Sequence, residues 1–265
     1  MPNGSGPMSA DPRPGLDPAR TPLAEPDRMP TLRPEALGPT LVLAPHADDE
    51  SLGCGGLIAL LADRGMAVSV VVVSDGSKSH PGSRAYPPER LRGTREAEAR
   101  AAVALLGLDP NAEALLTFLR LPDTAVPSPG EPGFDAAVGW LVDRLEARTI
   151  ETLLSPWRRD PHCDHRATRA IAAAAAVSSS RSIRVLEYPI WAYTSPDLDD
   201  LPRWDEVKAW RLEIGPVLDR KRAAIAAHRS QTTPLIDDDP AGFTLSPEVL
   251  AFFDRPWEVY LEPLP

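Results

Sequence analysis

Short apolar runs alternate with longer amphipathic or alanine-rich runs over most of this chain, from residue 40 to residue 188. The run at 68–74 (VSVVVVS) is almost entirely β-branched, which is typical of a strand buried on both faces of a sheet. The pattern predicts strands at 40–44, 68–74, 115–119, 152–155 and 183–188, and helices at 52–64, 89–106, 134–148 and 164–177. Because strands and helices alternate in this order, we expect an α/β fold with a Rossmann-like, mainly parallel sheet and helices on both faces.

The alternation ends after Pro189. Residues 207–214 and 257–261 favour further strands, and residues 217–228 favour a helix. Since the strand–helix rhythm is not repeated there, we expect a C-terminal cap or edge extension of the same domain.

The N-terminal segment, residues 1–37, is rich in proline and has no hydrophobic period. Such a segment cannot bury enough apolar area to offset the entropy lost on ordering. We therefore expect it to be mobile, or draped over the protein in extended form, and we assign residues 38–265 to a single domain.

Charge and cysteine content restrict the partners. The formal net charge of −10 argues against a nucleic-acid surface or an anionic membrane surface. Cys54 and Cys163 are the only cysteines, which is too few for the disulfide framework of a small secreted protein. No apolar run approaches the ~20 residues of a membrane span, and no signal-peptide pattern opens the chain. We expect a cytoplasmic protein with a small-molecule partner, and the oligomeric state stays open.

Two short clusters carry the candidate chemistry: residues 45–50 (PHADDE) and residues 160–165 (DPHCDH). Each follows a predicted strand and precedes a predicted helix, so both belong at the carboxyl edge of the sheet, where open α/β folds place their active sites. Either cluster alone has an ordinary explanation, as a solvated turn, a helix start or a buried histidine. Two clusters at strand-to-helix junctions of one domain favour a functional site.

The spacing within these clusters suggests a metal site. His46 and Asp49 lie three residues apart at a helix start, on one side of its first turn, and His165 opens the second helix in the same way. Two imidazoles and one carboxylate suit Zn²⁺ or another borderline divalent ion such as Fe²⁺, with positions left open for water or substrate.

The remaining polar residues of the clusters predict proton-transfer roles. Asp48 points away from the ligand side and can face a bound water. His162 can share the pocket without binding the ion, and Asp164 can orient one of the imidazoles by accepting its second N–H.

At these residues the chain resembles the LmbE-like, or PIG-L, zinc deacetylases. Residues 45–50 with Leu52-Gly53 resemble the family's (A)HPDDE signature, and the second cluster resembles its HPDH signature. Smaller matches occur at Ser74-Asp75-Gly76, Arg95 with Glu98, Leu121-Pro122-Asp123, and Lys221 with residues 228–231. Ala47 and Cys163 stand where the family usually has proline, and residues 158–160 stand where some members have a tyrosine, which leaves the substrate open.

The resemblance implies a zinc-dependent N-deacetylase that removes an N-acyl group, most often N-acetyl, from an amino-sugar-containing small molecule or glycoconjugate. It implies metal binding by His46, Asp49 and His165, general base catalysis by Asp48, and oxyanion stabilisation by a protonated His162 that Asp164 orients. Two alternatives remain: a metal-dependent phosphoesterase and a catalytically silent ligand-binding member of the family. Arg84, Arg92 and Arg95 are candidates for substrate binding. Each of them is also explained by an ordinary solvated position on the surface.

Overall fold

A computed structural model of the chain describes residues 20–264. Within this range seven strands form one sheet in the order β3-β2-β1-β4-β5-β7-β6. The strands are β1 (Thr40–Ala44), β2 (Val68–Ser74), β3 (Leu116–Leu121), β4 (Thr152–Pro156), β5 (Arg184–Tyr188), β6 (Val207–Glu213) and β7 (Trp257–Pro263). Strands β1 to β5 are parallel, and β7 pairs antiparallel with both β5 and β6. The predicted mainly parallel α/β fold is confirmed.

Helices cover both faces of the sheet. They are α1 (Asp49–Asp63), α2 (Pro88–Leu105), α3 (Phe134–Ala147), α4 (Cys163–Ser178), α5 (Leu218–Ala227), α6 (Arg229–Thr232) and α7 (Pro247–Phe253). Alternate valines of β2 enter two different cores: Val70 and Val72 pack with residues of α1, α2 and α5, whereas Val71 and Val73 pack with residues of α3 and α4. This division explains why every residue of β2 is buried.

Helix α1 packs very closely against the sheet and its C-terminal extension, as its glycines suggest. A β-carbon at Gly53 would lie 2.3 Å from a ring carbon of Tyr188 on β5, and one at Gly56 would lie 2.5 Å from Ile214. The helix begins at Asp49, earlier than predicted, so the acidic residues of the first cluster form its first turn.

The C-terminal part extends the same sheet, as expected. Strands β6 and β7 continue it beyond β5, and α5 packs on α1 and α2. The short helices α6 and α7 lie in segments where no helix was predicted.

The N-terminal segment lies against the rest of the protein where it is described. Residues 20–37 form three short 3-10 turns, and Thr31 pairs with Arg211 of β6. Besides Pro22 and Pro34, four apolar side chains of this segment are buried, namely Leu23, Met29, Leu32 and Leu37. They follow no period because they contact the domain from irregular backbone. Of the two expectations for this segment, packing over the protein fits residues 20–37 better than mobility does. Residues 1–19 lie outside the described range, and the domain boundary stays a prediction.

In residues 20–264 we find no helix with the length and apolarity of a membrane span.

Candidate metal and catalytic site

The two clusters meet at the centre of the sheet. The chain runs outward from β1 through β2 to β3, and later from β4 to β5 on the other side, so the strand order reverses between β1 and β4. Open α/β sheets bind ligands at this switch point, beyond the carboxyl ends of the strands. The first cluster follows β1 and the second follows β4.

Three predicted histidines converge there. The ring centroids of His46 and His162 are 4.7 Å apart, those of His162 and His165 are 5.1 Å apart, and those of His46 and His165 are 5.4 Å apart. One nitrogen from each ring lies within 4.8 Å of the others. The proximity expected from the sequence is therefore present.

Asp49 joins the two histidines that were predicted as ligands. Its Oδ2 lies 3.3 Å from Nδ1 of His46 and 3.3 Å from Nε2 of His165. It also accepts a hydrogen bond from the backbone N–H of His46 at 2.9 Å, which fixes the carboxylate at the helix start.

These three side chains fit a divalent cation. Both ring nitrogens of His165 are fully buried without a hydrogen-bond partner, and Nε2 faces Asp49. Burial alone would lower the pKa of His165, yet the charges of Asp160 and Asp49 raise it to about 9. Burial likewise opposes ionisation of Asp49, but the neighbouring imidazoles hold its pKa below the usual range. A bound cation would replace the protons that this acidic site otherwise retains.

In His46 and His165, the ring nitrogen that does not face Asp49 lies near a buried carboxylate. Nε2 of His46 lies 3.1 Å from Oδ2 of Asp164 and 3.4 Å from Oδ1 of Asp123, and Nδ1 of His165 lies 3.3 Å from Oδ1 of Asp160. Carboxylates in this position commonly fix the tautomer and orientation of metal-binding histidines. Asp123 follows β3 at the same edge of the sheet, a position that the strand-end rule could have identified.

The arrangement corrects the role predicted for Asp164. Its carboxylate contacts His46 and accepts the backbone N–H groups of Thr124 and Val126, at 2.8 and 3.1 Å, rather than a ring N–H of His162. The loop after β3 supplies these amides, and its position could not be inferred from the spacing of the second cluster.

His162 is placed to act as a neutral ring. It is the N-cap residue of α4, and its Nδ1 accepts the backbone N–H of Asp164 at 3.2 Å. Burial, together with the charges of His46 and His165, lowers the pKa of His162 to about 4. This geometry and this lowered pKa favour a neutral imidazole with its proton on Nε2, whereas the resemblance implied an imidazolium.

Asp48 combines backbone strain with a shifted pKa. Its φ of +152° lies in a region that non-glycine residues rarely adopt. Burial raises the pKa of Asp48 to about 6, while Arg95, with Nη2 3.4 Å from Oδ2 of Asp48, opposes the rise. A carboxyl group that titrates near neutral pH suits general base catalysis.

The predicted arginines divide into one site residue and two peripheral ones. Arg95 is buried, donates to the backbone oxygens of Ala47 and Gly76, and lines the same cavity as His46 and Asp48. Arg84 is exposed and Arg92 is half-buried, and neither is among the described residues that line the cavity.

The cavity has a volume of about 180 Å³ and a mixed lining. It is lined by site residues, including His46, Asp48, Asp49 and His162. Further polar lining residues include Lys78, Ser79, Asp123 and Gln231, and the apolar lining residues are Leu52, Trp191, Phe243 and Leu245. The apolar lining was not predicted, because Trp191, Phe243 and Leu245 come from segments without a recognisable pattern.

The late element that resembles the family occupies three separate positions. Lys221 forms a buried ion pair with Glu258, with Nζ and Oε1 2.7 Å apart. His228 faces Glu50, and Gln231 lines the cavity.

Comparison with known proteins agrees with this architecture. The family model described as PIG-L, GlcNAc-PI de-N-acetylase, matches residues 41–176, just over half of the chain. A comparison with curated proteins gives no match.

Several solved structures share the fold. N,N'-diacetylchitobiose deacetylase from Pyrococcus horikoshii is 20% identical, with 87% of this chain and 85% of that chain covered and a TM-score of 0.63. GalB, the 4-carboxy-2-hydroxymuconate hydratase from Pseudomonas putida, is 19% identical, with 86% and 96% covered and a TM-score of 0.61. The zinc-inhibited form of teicoplanin deacetylase Orf2 is 19% identical, with 85% and 97% covered and a TM-score of 0.59. At these identities the likeness establishes the fold alone.

Proposed function

The chain belongs to the PIG-L family, and on that premise we propose that it is a metal-dependent hydrolase that removes an N-acyl group, most often N-acetyl, from an amino-sugar-containing small molecule or glycoconjugate. The observation that carries this proposal is the contact of one Asp49 oxygen with both His46 and His165, beside the buried carboxyl group of Asp48.

We assign metal binding to His46, Asp49 and His165. Zn²⁺ suits two imidazoles and a carboxylate, and Fe²⁺ is a second candidate for the same donors. When bound, such an ion polarises the amide carbonyl and lowers the pKa of a water molecule towards neutrality. Asp164 orients the ring of His46 through its second nitrogen, and Asp160 faces the second nitrogen of His165 at 3.3 Å.

Asp48 is the proposed general base. It lines the cavity and has a pKa raised to about 6, so its carboxylate form predominates at neutral pH. In this role Asp48 accepts a proton from the attacking water and returns it to the leaving amine.

His162 is the proposed donor to the oxyanion that develops on the acyl oxygen. Because its Nδ1 already accepts the N–H of Asp164, its Nε2–H remains available to the cavity. A preorganised neutral donor stabilises developing negative charge without a change in its own protonation.

The mixed lining of the cavity supports an amphipathic substrate. Hydroxyl groups of a sugar can pair with polar lining residues such as Lys78 and Asp123, while a ring face or acyl chain can pack on Trp191 and Phe243. Two of the similar structures are named as deacetylases of diacetylchitobiose and of teicoplanin, which supports N-acylated glycans or glycoconjugates as the substrate class.

A substrate screen with the metal-loaded protein tests this proposal. We expect release of acetate and a free amine from N-acetylglucosamine derivatives, and no release of phosphate from phosphate monoesters. Hydrolysis of phosphate monoesters alone would support the phosphoesterase alternative. Metal binding without turnover of any N-acyl substrate would support the silent binding protein.

A further inference from the structure

The backbone of Asp48 is held in an unfavourable conformation. With φ at +152° and ψ at −29°, Asp48 lies outside the regions that L-residues ordinarily occupy. Its carbonyl oxygen accepts the N–H groups of Ser51 and Leu52, at 3.0 and 2.9 Å, and thereby starts α1. Its own N–H donates to Oε2 of Glu50 at 3.0 Å. Strain of this kind persists only where the surroundings fix it.

Glu50 is the group that fixes this N–H. The residue is fully buried, and its Oε1 accepts the hydroxyl of Ser51 at 2.7 Å and lies 2.9 Å from Nε2 of His228. A buried carboxylate keeps its position and charge only when its oxygens have donors. Among these donors, His228 is the one that comes from outside α1 and its N-terminal loop.

His228 is itself rigidly placed. It lies between α5 and α6, where its N–H donates to the oxygen of Ile225 at 3.1 Å and its oxygen accepts the N–H of Gln231 at 2.9 Å. The adjacent Ser230 donates through both N–H and hydroxyl to Glu98 of α2. The second ring nitrogen of His228, Nδ1, is buried without a partner. A buried ring nitrogen without a partner is unfavourable, so packing alone does not explain a histidine at this core position. The contact of its Nε2 with Glu50 is the feature that distinguishes His228 from an apolar residue.

We propose that His228 is a positioning residue that acts through Glu50 to hold Asp48 in the conformation needed for proton transfer. The inference deepens the proposed function, because it rests on Asp48 as the general base. It assigns the late part of the chain a role in the chemistry, although His228 is not among the residues that line the cavity.

A double-mutant cycle separates positioning from general stabilisation. His228→Leu should lower kcat about 10- to 100-fold, as is typical of residues that orient a catalytic group, with KM and metal content unchanged. His228→Gln, whose amide can still donate to Glu50, should recover much of the loss. In the Asp48→Asn background, His228→Leu should cause little further loss, because the base it positions is already inactive.

His80 provides a matched control. It is also a buried histidine, but its ring contacts Ser79, and no contact links it to Glu50. Whatever its size, the fold-loss in kcat caused by His80→Leu should be the same in the wild type and in the Asp48→Asn background. If His228→Leu also causes the same fold-loss in both backgrounds, its role is merely structural and the proposal is overturned.

Amide hydrogen exchange tests the geometry without any substrate. The N–H of Asp48 should exchange slowly in the wild type and in His228→Gln, and much faster in His228→Leu, while amides in the middle of α1 keep their protection. Unchanged protection of Asp48 in His228→Leu would refute the proposal. If the wild type hydrolyses no N-acyl substrate, the proposed function fails, but the exchange data still decide whether His228 holds Asp48. If His228→Leu does not fold, Glu50→Gln is measured by the same two criteria.

Discussion

Proton release on metal binding provides a direct test of the site, and Asp160→Asn is the change that makes it specific. The charge of Asp160 is the largest of the influences that raise the pKa of His165 from 6.5 to about 9. The pKa of His46 is also raised well above its usual value, because hydrogen bonds to Asp123, Asp164 and Asp49 outweigh the effect of burial. Both rings are therefore in the imidazolium form at pH 7 in the metal-free protein. An incoming ion must displace one proton from each ring.

The raised pKa of His165 sets the expected magnitude. A shift from 6.5 to about 9 corresponds to roughly 3 kcal/mol of stabilisation of the metal-free fold. Because the folded pKa is raised, this contribution is fully present below pH 6.5 and is lost as the pH rises through about 9. For the metal, the apparent affinity should rise about tenfold per pH unit between pH 7 and 9 for each proton displaced.

Calorimetric titration of the metal-free protein with Zn²⁺, in buffers of different ionisation enthalpy, measures these protons. We expect about two protons per ion at pH 7 for the wild type and about one for Asp160→Asn, in which His165 is largely neutral. Asp75→Asn is the control, since the Asp75 carboxylate accepts the N–H of Ser77 and touches neither ring. No proton release at pH 7, with an affinity independent of pH, would refute the assignment of these rings as ligands.

Three further predictions follow from the same site and from the N-terminal segment. Asp48→Asn should retain the metal, lose roughly 10²- to 10⁴-fold in kcat, and lose the acid limb of the pH–rate profile near pH 6; an unchanged acid limb would assign it to another group. His162→Ala should lower kcat by roughly 10²- to 10³-fold but keep any alkaline limb, because the ring, with its pKa of about 4, is already neutral there. A chain that begins at residue 39 should have a lower Tm than one that begins at residue 20, because each buried leucine lost, such as Leu32 or Leu37, costs roughly 2–5 kcal/mol; equal Tm values would contradict this packing.

The sequence pattern predicted the central sheet and the location of the site because both depend on local signals. The valine run of β2 has no alternative to a buried strand, and both histidine clusters follow strands at the switch point. The helix starts were predicted less well, since α1 begins at Asp49 and not at residue 52.

Features that depend on distant residues could not be predicted. The direction of the Asp164 carboxylate follows from amides in the loop after β3, and Glu50 meets a histidine 178 residues away. Most apolar lining residues of the cavity come from irregular segments, where Phe243 is positioned by a hydrogen bond from its N–H to the oxygen of Ser79. In the N-terminal segment, a lack of periodicity concealed residues that pack individually against the domain.

The reversal of strand order between β1 and β4 also bears on how the protein folds. His46 and Asp164 are 118 residues apart in the chain, yet their side chains touch because Thr40 and Thr152 are paired in adjacent strands. Closing so long a loop is entropically unfavourable, and contacts of this kind slow folding. The donor set is complete only after β1 and β4 have paired, so metal uptake during refolding should follow the joining of the two halves of the sheet. A bound ion would then slow unfolding by joining β1 to β4, the strand pair with the longest intervening chain among the parallel pairs.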